Sequence, residues 1–285
     1  MTPDQATSLR ELRLAEVRRE PELEEAPAGR RRRGKVISVA SGKGGVGKTT
    51  LALNLSLALH RRRQGVVLVD ADWGLGNVDV ALGMAPQYHL GHVLFADMAI
   101  RDVVMQGPGG IRFVPNGSGD KALAELDRAD RLRLLRQVED LARDQDVVVI
   151  DTSPGISPAT RDLVRFADLA LVITTPEPTS MADAYAMVKL NGELDAGQRL
   201  GLVVNNAATH ADAQRAAAQL SRVCERFLGW SPTLFGWIPH DDEVIRAVAE
   251  QRALLESSSG KACSAINQLA RVVLGVLGRA QDSQL

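Results

Sequence analysis

SGKGGVGKTT, residues Ser41–Thr50, follows the apolar run KVISVAS, residues Lys35–Ser41, and leads into a helix-forming segment, Thr49–Arg63. Gly42, four residues, and then Gly47, Lys48 and Thr49 fit the phosphate-loop spacing G-x-x-x-x-G-K-[ST], in the strand-to-helix context that gives this motif its meaning. Glycines let successive backbone N–H groups turn inward around phosphate oxygens, and a helix N-terminus adds positive potential at the same point. Gly42, Gly44, Gly45, Val46, Gly47, Lys48, Thr49 and Thr50 are therefore the expected nucleotide-binding residues. In this reading Lys48 reaches the terminal phosphates and Thr49 offers its hydroxyl to Mg2+. A glycine-rich turn without a ligand is the competing reading, and the flanking strand and helix weigh against it. One lysine is enough for this task, yet the stretch contains two. Lys43 lies too early in the loop to duplicate Lys48, so its side chain should point outward, where it can serve the phosphates of another subunit.

Outward from this loop, β-branched apolar runs recur: GVVLVDAD (Gly65–Asp72), GIRFVPNG (Gly110–Gly117), DVVVIDTS (Asp146–Ser153), LALVITTPE (Leu169–Glu177) and RLGLVVNNA (Arg199–Ala207). Near-continuous apolar strands are buried on both faces. Helix-compatible stretches separate them, at Asp130–Arg143, Thr179–Asn191 and Ala211–Phe227. The alternation predicts an α/β fold, a doubly wound and mostly parallel sheet flanked by helices, with right-handed crossovers. Ligands in such sheets bind beyond the carboxyl ends of the strands, where the motifs fall.

The apolar run of DVVVIDTS ends at Asp151, placed to hold Mg2+ in the manner of a Walker-B aspartate. GVVLVDAD ends on Asp70 and Asp72, which share a face if Ala71 points back into the sheet. One of them can orient an attacking water; the alternative is a turn whose aspartates cap backbone N–H groups.

Composition sets the outer bounds. The 285 residues are 45% hydrophobic, enough for a sizeable core. Thirty-four basic side chains against thirty-five acidic ones leave a net charge of -1, so no whole-protein attraction to DNA or anionic lipid follows. Cys224 and Cys263 are too few for a disulfide framework and are expected to be reduced, packed thiols. The N-terminus is charged and no long apolar run occurs, which points to a cytoplasmic protein. Four segments are expected: a helix-compatible head at 1–19, a Pro-, Gly- and charge-rich linker at 20–34, a main domain at 35–278 and a polar tail at 279–285. The stripe Ile266, Leu269, Ala270, Val273 and Leu277 reads as the last core helix rather than a membrane anchor. Peripheral contact with the inner face of the membrane stays open.

KGGVGKTT resembles the deviant Walker A motif of the MinD/ParA class of P-loop ATPases. The resemblance implies ATP and Mg2+ as cofactors, an ATP-bound homodimer, and a position for Lys43 at the partner's nucleotide. DADWGLGNVDVALG (Asp70–Gly83) is similar to switch I of MinD-like proteins, implying Asp72 as the water-positioning residue, Asp70 as a second carboxylate and Asn77 as a switch residue. Asn205 falls where this class places its adenine contact. TTPEPTSMADAYAMVKL (Thr174–Leu190) and IPHDDEVIRAVAEQRAL (Ile238–Leu254) resemble the FlhG/FleN branch, the regulators of flagellar number, and DQATSLR resembles the element by which that branch stimulates the GTPase FlhF. Asp4, Gln5, Leu9 and Arg10 are the implied contacts, with Gln5 directed at the GTPase site. The bland alternative is that Asp4 only caps a short helix. A flagellar transcription factor or C-ring component is a further implied partner.

The pattern is not followed everywhere. Ser153-Pro154-Gly155 replaces the commoner D-T-G-A-G ending, and proline removes an N–H from switch II. Three rival functions remain in view: a ParA-type DNA-positioning or cargo-positioning ATPase, which would want a basic surface; an iron–sulfur reductase, which would need cysteines beside the switches; and a P-loop metabolic ligase, which would not need Lys43 in trans.

Overall fold

The computed structural model describes residues 33–62, 64–73, 76–117, 126–192, 200–257 and 259–282. Asp4, Gln5, Leu9 and Arg10, the head at 1–19, most of the linker at 20–34 and the last residues of the tail lie outside them.

Each apolar run becomes a strand because its alternate residues pack on opposite faces. Val147 and Val149 join one core cluster while Val148 and Ile150 join another on the far side of the sheet. Eight strands form the described sheet: β1 (Lys35–Ala40), β2 (Val66–Ala71), β3 (Met105–Gln106), β4 (Arg112–Val114), β5 (Val147–Thr152), β6 (Leu169–Thr174), β7 (Leu200–Ala207) and β8 (Thr233–Pro239). Their spatial order is β3-β4-β2-β5-β1-β6-β7-β8. Only β3 runs antiparallel. The doubly wound parallel sheet is therefore present.

The helices are α1 (Lys48–His60), α2 (Val78–Ala81), α3 (Leu90–Phe95), α4 (Arg128–Asp144), α5 (Pro158–Phe166), α6 (Pro178–Asn191), α7 (His210–Leu228), α8 (Asp242–Ala249), α9 (Leu254–Ser257) and α10 (Lys261–Asp282). α1 and α10 cover one face of the sheet, and the expected stripe Ile266, Leu269, Ala270, Val273 and Leu277 is buried there. α3, α4 and α5 cover part of the other face, and α6 and α7 the rest. Among the described residues no helix is long and apolar enough to cross a membrane.

β3 and β8 carry no signal in the sequence. β3 has two residues, and β8 is an edge strand interrupted by Gly236, with register irregularities against β7. At the amino ends of the strands, Asp168 accepts the Val36 N–H at 2.8 Å and pairs with Arg33 at 2.9 Å and Lys35 at 3.8 Å, fixing where the chain enters β1.

Candidate nucleotide site

The loop between β1 and α1 lies at the carboxyl edge of the sheet, with β5 and β6 on either side of β1. Gly47 adopts φ 85° just before the helix, a conformation that disfavours side chains, and a Cβ there would sit 2.4 Å from Asn205 Nδ2. At Gly42 a Cβ would lie 2.2 Å from the Asp183 carbonyl oxygen, so the loop packs on α6 as only glycine allows. Asn205, from the end of β7, donates its Nδ2 to the Val46 carbonyl at 2.7 Å. It thus braces the phosphate loop from the end of β7. The Gly155 N–H donates to the Ser41 carbonyl at 2.8 Å, tying the segment after β5 to the same loop.

Lys48 opens α1 and is buried, its Nζ 3.2 Å from Asp151 Oδ1 and 3.6 Å from Asp72 Oδ2. Thr49 donates its hydroxyl to Asp151 Oδ2 at 2.6 Å. Burial pushes the Asp151 carboxyl above the usual carboxylate range, and Lys48 and the Thr49 hydroxyl offset this in part. Asp70, wholly buried, is pushed up to about 7 by desolvation and then by the charge of Asp151. The Asp72 and Asp151 carboxylates thus flank one ammonium. Their oxygens, with the Thr49 hydroxyl bonded to Asp151, fit a hard divalent cation such as Mg2+.

Asp70 and Asp72 share a side of the sheet, as alternation predicts, but at different depths. Both carboxylate oxygens of Asp70 accept backbone N–H groups, Oδ1 from Asp72 at 3.2 Å and Oδ2 from Val78 at 3.0 Å. Asp70 thus holds the backbone of both Asp72 and Val78. Asp72 stands above it at the mouth, lining a cleft of about 230 Å³ with the phosphate loop, Thr50, Asn77 and Pro154.

Lys43 also borders this cleft, but its ammonium is engaged by α6. Its Nζ lies 3.0 Å from Glu177 Oε2 and 3.2 Å from the Thr179 hydroxyl, at the start of α6. A second cleft, of about 320 Å³, is shared by Gly45, Asn205, Ile238, Pro239 and Val244 and runs on from the loop. Its apolar floor and amide rim suit a purine base. Glu177, Pro239 and Val244 were not marked as site residues by the sequence, since only the crossovers bring them beside the loop.

Helix-capped glycine turns, a buried loop lysine and a strand-end aspartate bonded to the loop threonine define a P-loop nucleoside triphosphatase site. Comparison with known proteins narrows the class. Residues 34–196 match the family described as AAA domain. The antiactivator FleN of Pseudomonas aeruginosa is 40% identical over 223 residues, covering 78% of this chain and 80% of that one. The flagellum site-determining protein YlxH of Helicobacter pylori is 28% identical over 245 residues, covering 85% and 83%. The crystal structure of the cell division ATPase MinD of Pyrococcus furiosus shares the fold, with a TM-score of 0.72 at 22% identity over 85% of this chain and 99% of that one. The chain belongs to the MinD/ParA-type P-loop ATPases, in their FleN/FlhG branch.

Proposed function

We propose that the protein is an ATP-dependent dimerising switch that regulates flagellar number or placement. The observation carrying this reading is the separation of the two loop lysines, Lys48 buried among Asp72 and Asp151, Lys43 outside on Glu177. Backbone N–H groups from Gly44 to Thr50 and the start of α1 hold the phosphates, with Lys48 as the cis cation. Thr49 and Asp151 would hold Mg2+, which supplies charge neutralisation at the phosphates. Asp72 orients the attacking water, Asp70 holds the segment that carries Asp72, and Asn205 serves the base side. Lys43 leaves Glu177 for the partner's phosphates, so the site is complete only in the dimer.

The flagellar assignment rests on the FleN and YlxH relatives. Within it, Asp4, Gln5, Leu9 and Arg10 contact an FlhF-like GTPase, Gln5 helping to orient its attacking water. A flagellar transcription factor or C-ring component is the second partner. The GTPase rate of purified FlhF with peptide 1–19 tests this arm: stimulation lost on Gln5→Ala supports it, and no stimulation by either peptide contradicts it. ATP turnover per subunit that rises with protein concentration tests the switch against a ligase, whose turnover would instead follow its substrate.

A further inference from the structure

Asp72 is one residue past the end of β2, and nothing in the sheet ladder holds it. The last paired residues of β2 and β5 are Ala71 and Thr152. The next residue on β5 is Ser153, and its hydroxyl continues the pairing with a side chain. Ser153 Oγ accepts the Trp73 N–H at 2.8 Å and reaches the Ala71 carbonyl at 3.5 Å, one neighbour on each side of Asp72. Ala71 and Trp73 are themselves buried in one core cluster with Val69 and Ile150. The Asp72 carbonyl in turn accepts from Asn116 Nδ2, on the loop after β4. Asn116 is buried, and Gly76 packs so closely on it that a Cβ there would lie 2.3 Å from the Asn116 Cβ.

We propose that Ser153 is a positioning residue for ATP hydrolysis, its hydroxyl fixing the backbone on both sides of Asp72 so that the Asp72 carboxylate faces the phosphate cleft. Ser153 is not among the residues that line the cleft beside Asp72; it acts through Asp72. The same hydroxyl joins the segment after β2 to the segment after β5, and Gly155 joins the latter to the phosphate loop at 2.8 Å. A shift in one segment is therefore passed to the other two. Carboxylate misplacement of a fraction of an ångström lowers the rate of the chemical step without weakening ground-state binding.

This inference rests on the assignment of Asp72 as the water-orienting residue, and the test separates the two. The full chain is assayed at saturating ATP and at protein concentrations high enough for dimerisation, as wild type, Ser153→Ala, Ser153→Thr and Asp72→Ala. Binding of a fluorescent ATP analogue is measured alongside. Ser153→Ala is expected to lose about tenfold in kcat with KM and analogue affinity within about twofold, and Ser153→Thr, which keeps the hydroxyl, to recover most of the rate. Wild-type kcat in Ser153→Ala beside an inactive Asp72→Ala overturns the role of Ser153 alone. Parallel losses of kcat and affinity that Ser153→Thr does not restore also overturn it, since they mark a general structural defect. Wild-type turnover in Asp72→Ala overturns the underlying assignment.

Discussion

Lys43 holds the Glu177 carboxylate at 3.0 Å in an ion pair whose side chains are 39% and 64% exposed. Exposed pairs of this kind contribute about 0 to 1 kcal/mol. So weak a hold can be exchanged for the denser charge of a triphosphate. Lys43→Ala should accordingly leave the melting transition of the isolated subunit within about 1 kcal/mol of wild type and ATP-analogue binding nearly unchanged. ATP-dependent association and turnover should be lost. Calorimetry, nucleotide titration and a phosphate-release assay read the three quantities on one preparation.

Asp72→Ala separates binding from hydrolysis in the other direction. The variant keeps Lys48, Thr49 and Asp151, so it should bind ATP, while kcat falls by about 100-fold or more with the loss of the water-orienting group. Dimers should accumulate on ATP and persist for hours. A phosphate-release assay paired with size-exclusion chromatography checks it.

How far the sequence foretold this arrangement depends on the distance over which a signal acts. The phosphate loop was legible because motif, strand and helix are contiguous within Lys35–His60, and the six long apolar runs were legible because burial on both faces leaves no polar alternation. β8 was not, because Gly236 and an exposed edge dilute its pattern. The partners Lys43 and Glu177 are 134 residues apart, and Trp73 and Ser153 are 80 apart. Only the crossover topology joins them. The departure Ser153-Pro154-Gly155 stood out in sequence for the missing proline N–H, whereas in the structure the serine hydroxyl makes the notable contacts. The bond from Asn205 Nδ2 to the Val46 carbonyl was not legible either, since 159 residues separate the two.

Asp168 carries a stability prediction remote from the nucleotide. Its carboxylate satisfies the N–H of Val36, a wholly buried residue of β1, and pairs with Arg33 and Lys35. Asp168→Ala strands that N–H and should lower stability by about 2 kcal/mol, within the range for an unsatisfied buried donor. Asp168→Asn keeps an acceptor oxygen and should lose about half as much. Urea unfolding followed by circular dichroism gives both values.

Cys224 links burial to pH. Desolvation, with a smaller push from Glu225, raises its thiol from 9.0 to about 11. A raised acid favours the native state while protonated, so this contribution is complete below pH 9 and is lost as pH rises towards 11. Native protein should resist iodoacetamide at pH 8.5 at Cys224, where an exposed thiol reacts within minutes, and urea-unfolded protein should react fully. Mass spectrometry of the alkylated peptides checks the difference.

The association state of the Asp72→Ala chain with ATP, with and without the added Lys43→Ala substitution, tests the central claim most directly. Sedimentation velocity should show Asp72→Ala as a dimer with ATP and a monomer with ADP, and the double variant as a monomer with either nucleotide. An ATP-dependent dimer in the double variant would contradict the assignment of Lys43 to the partner's phosphates.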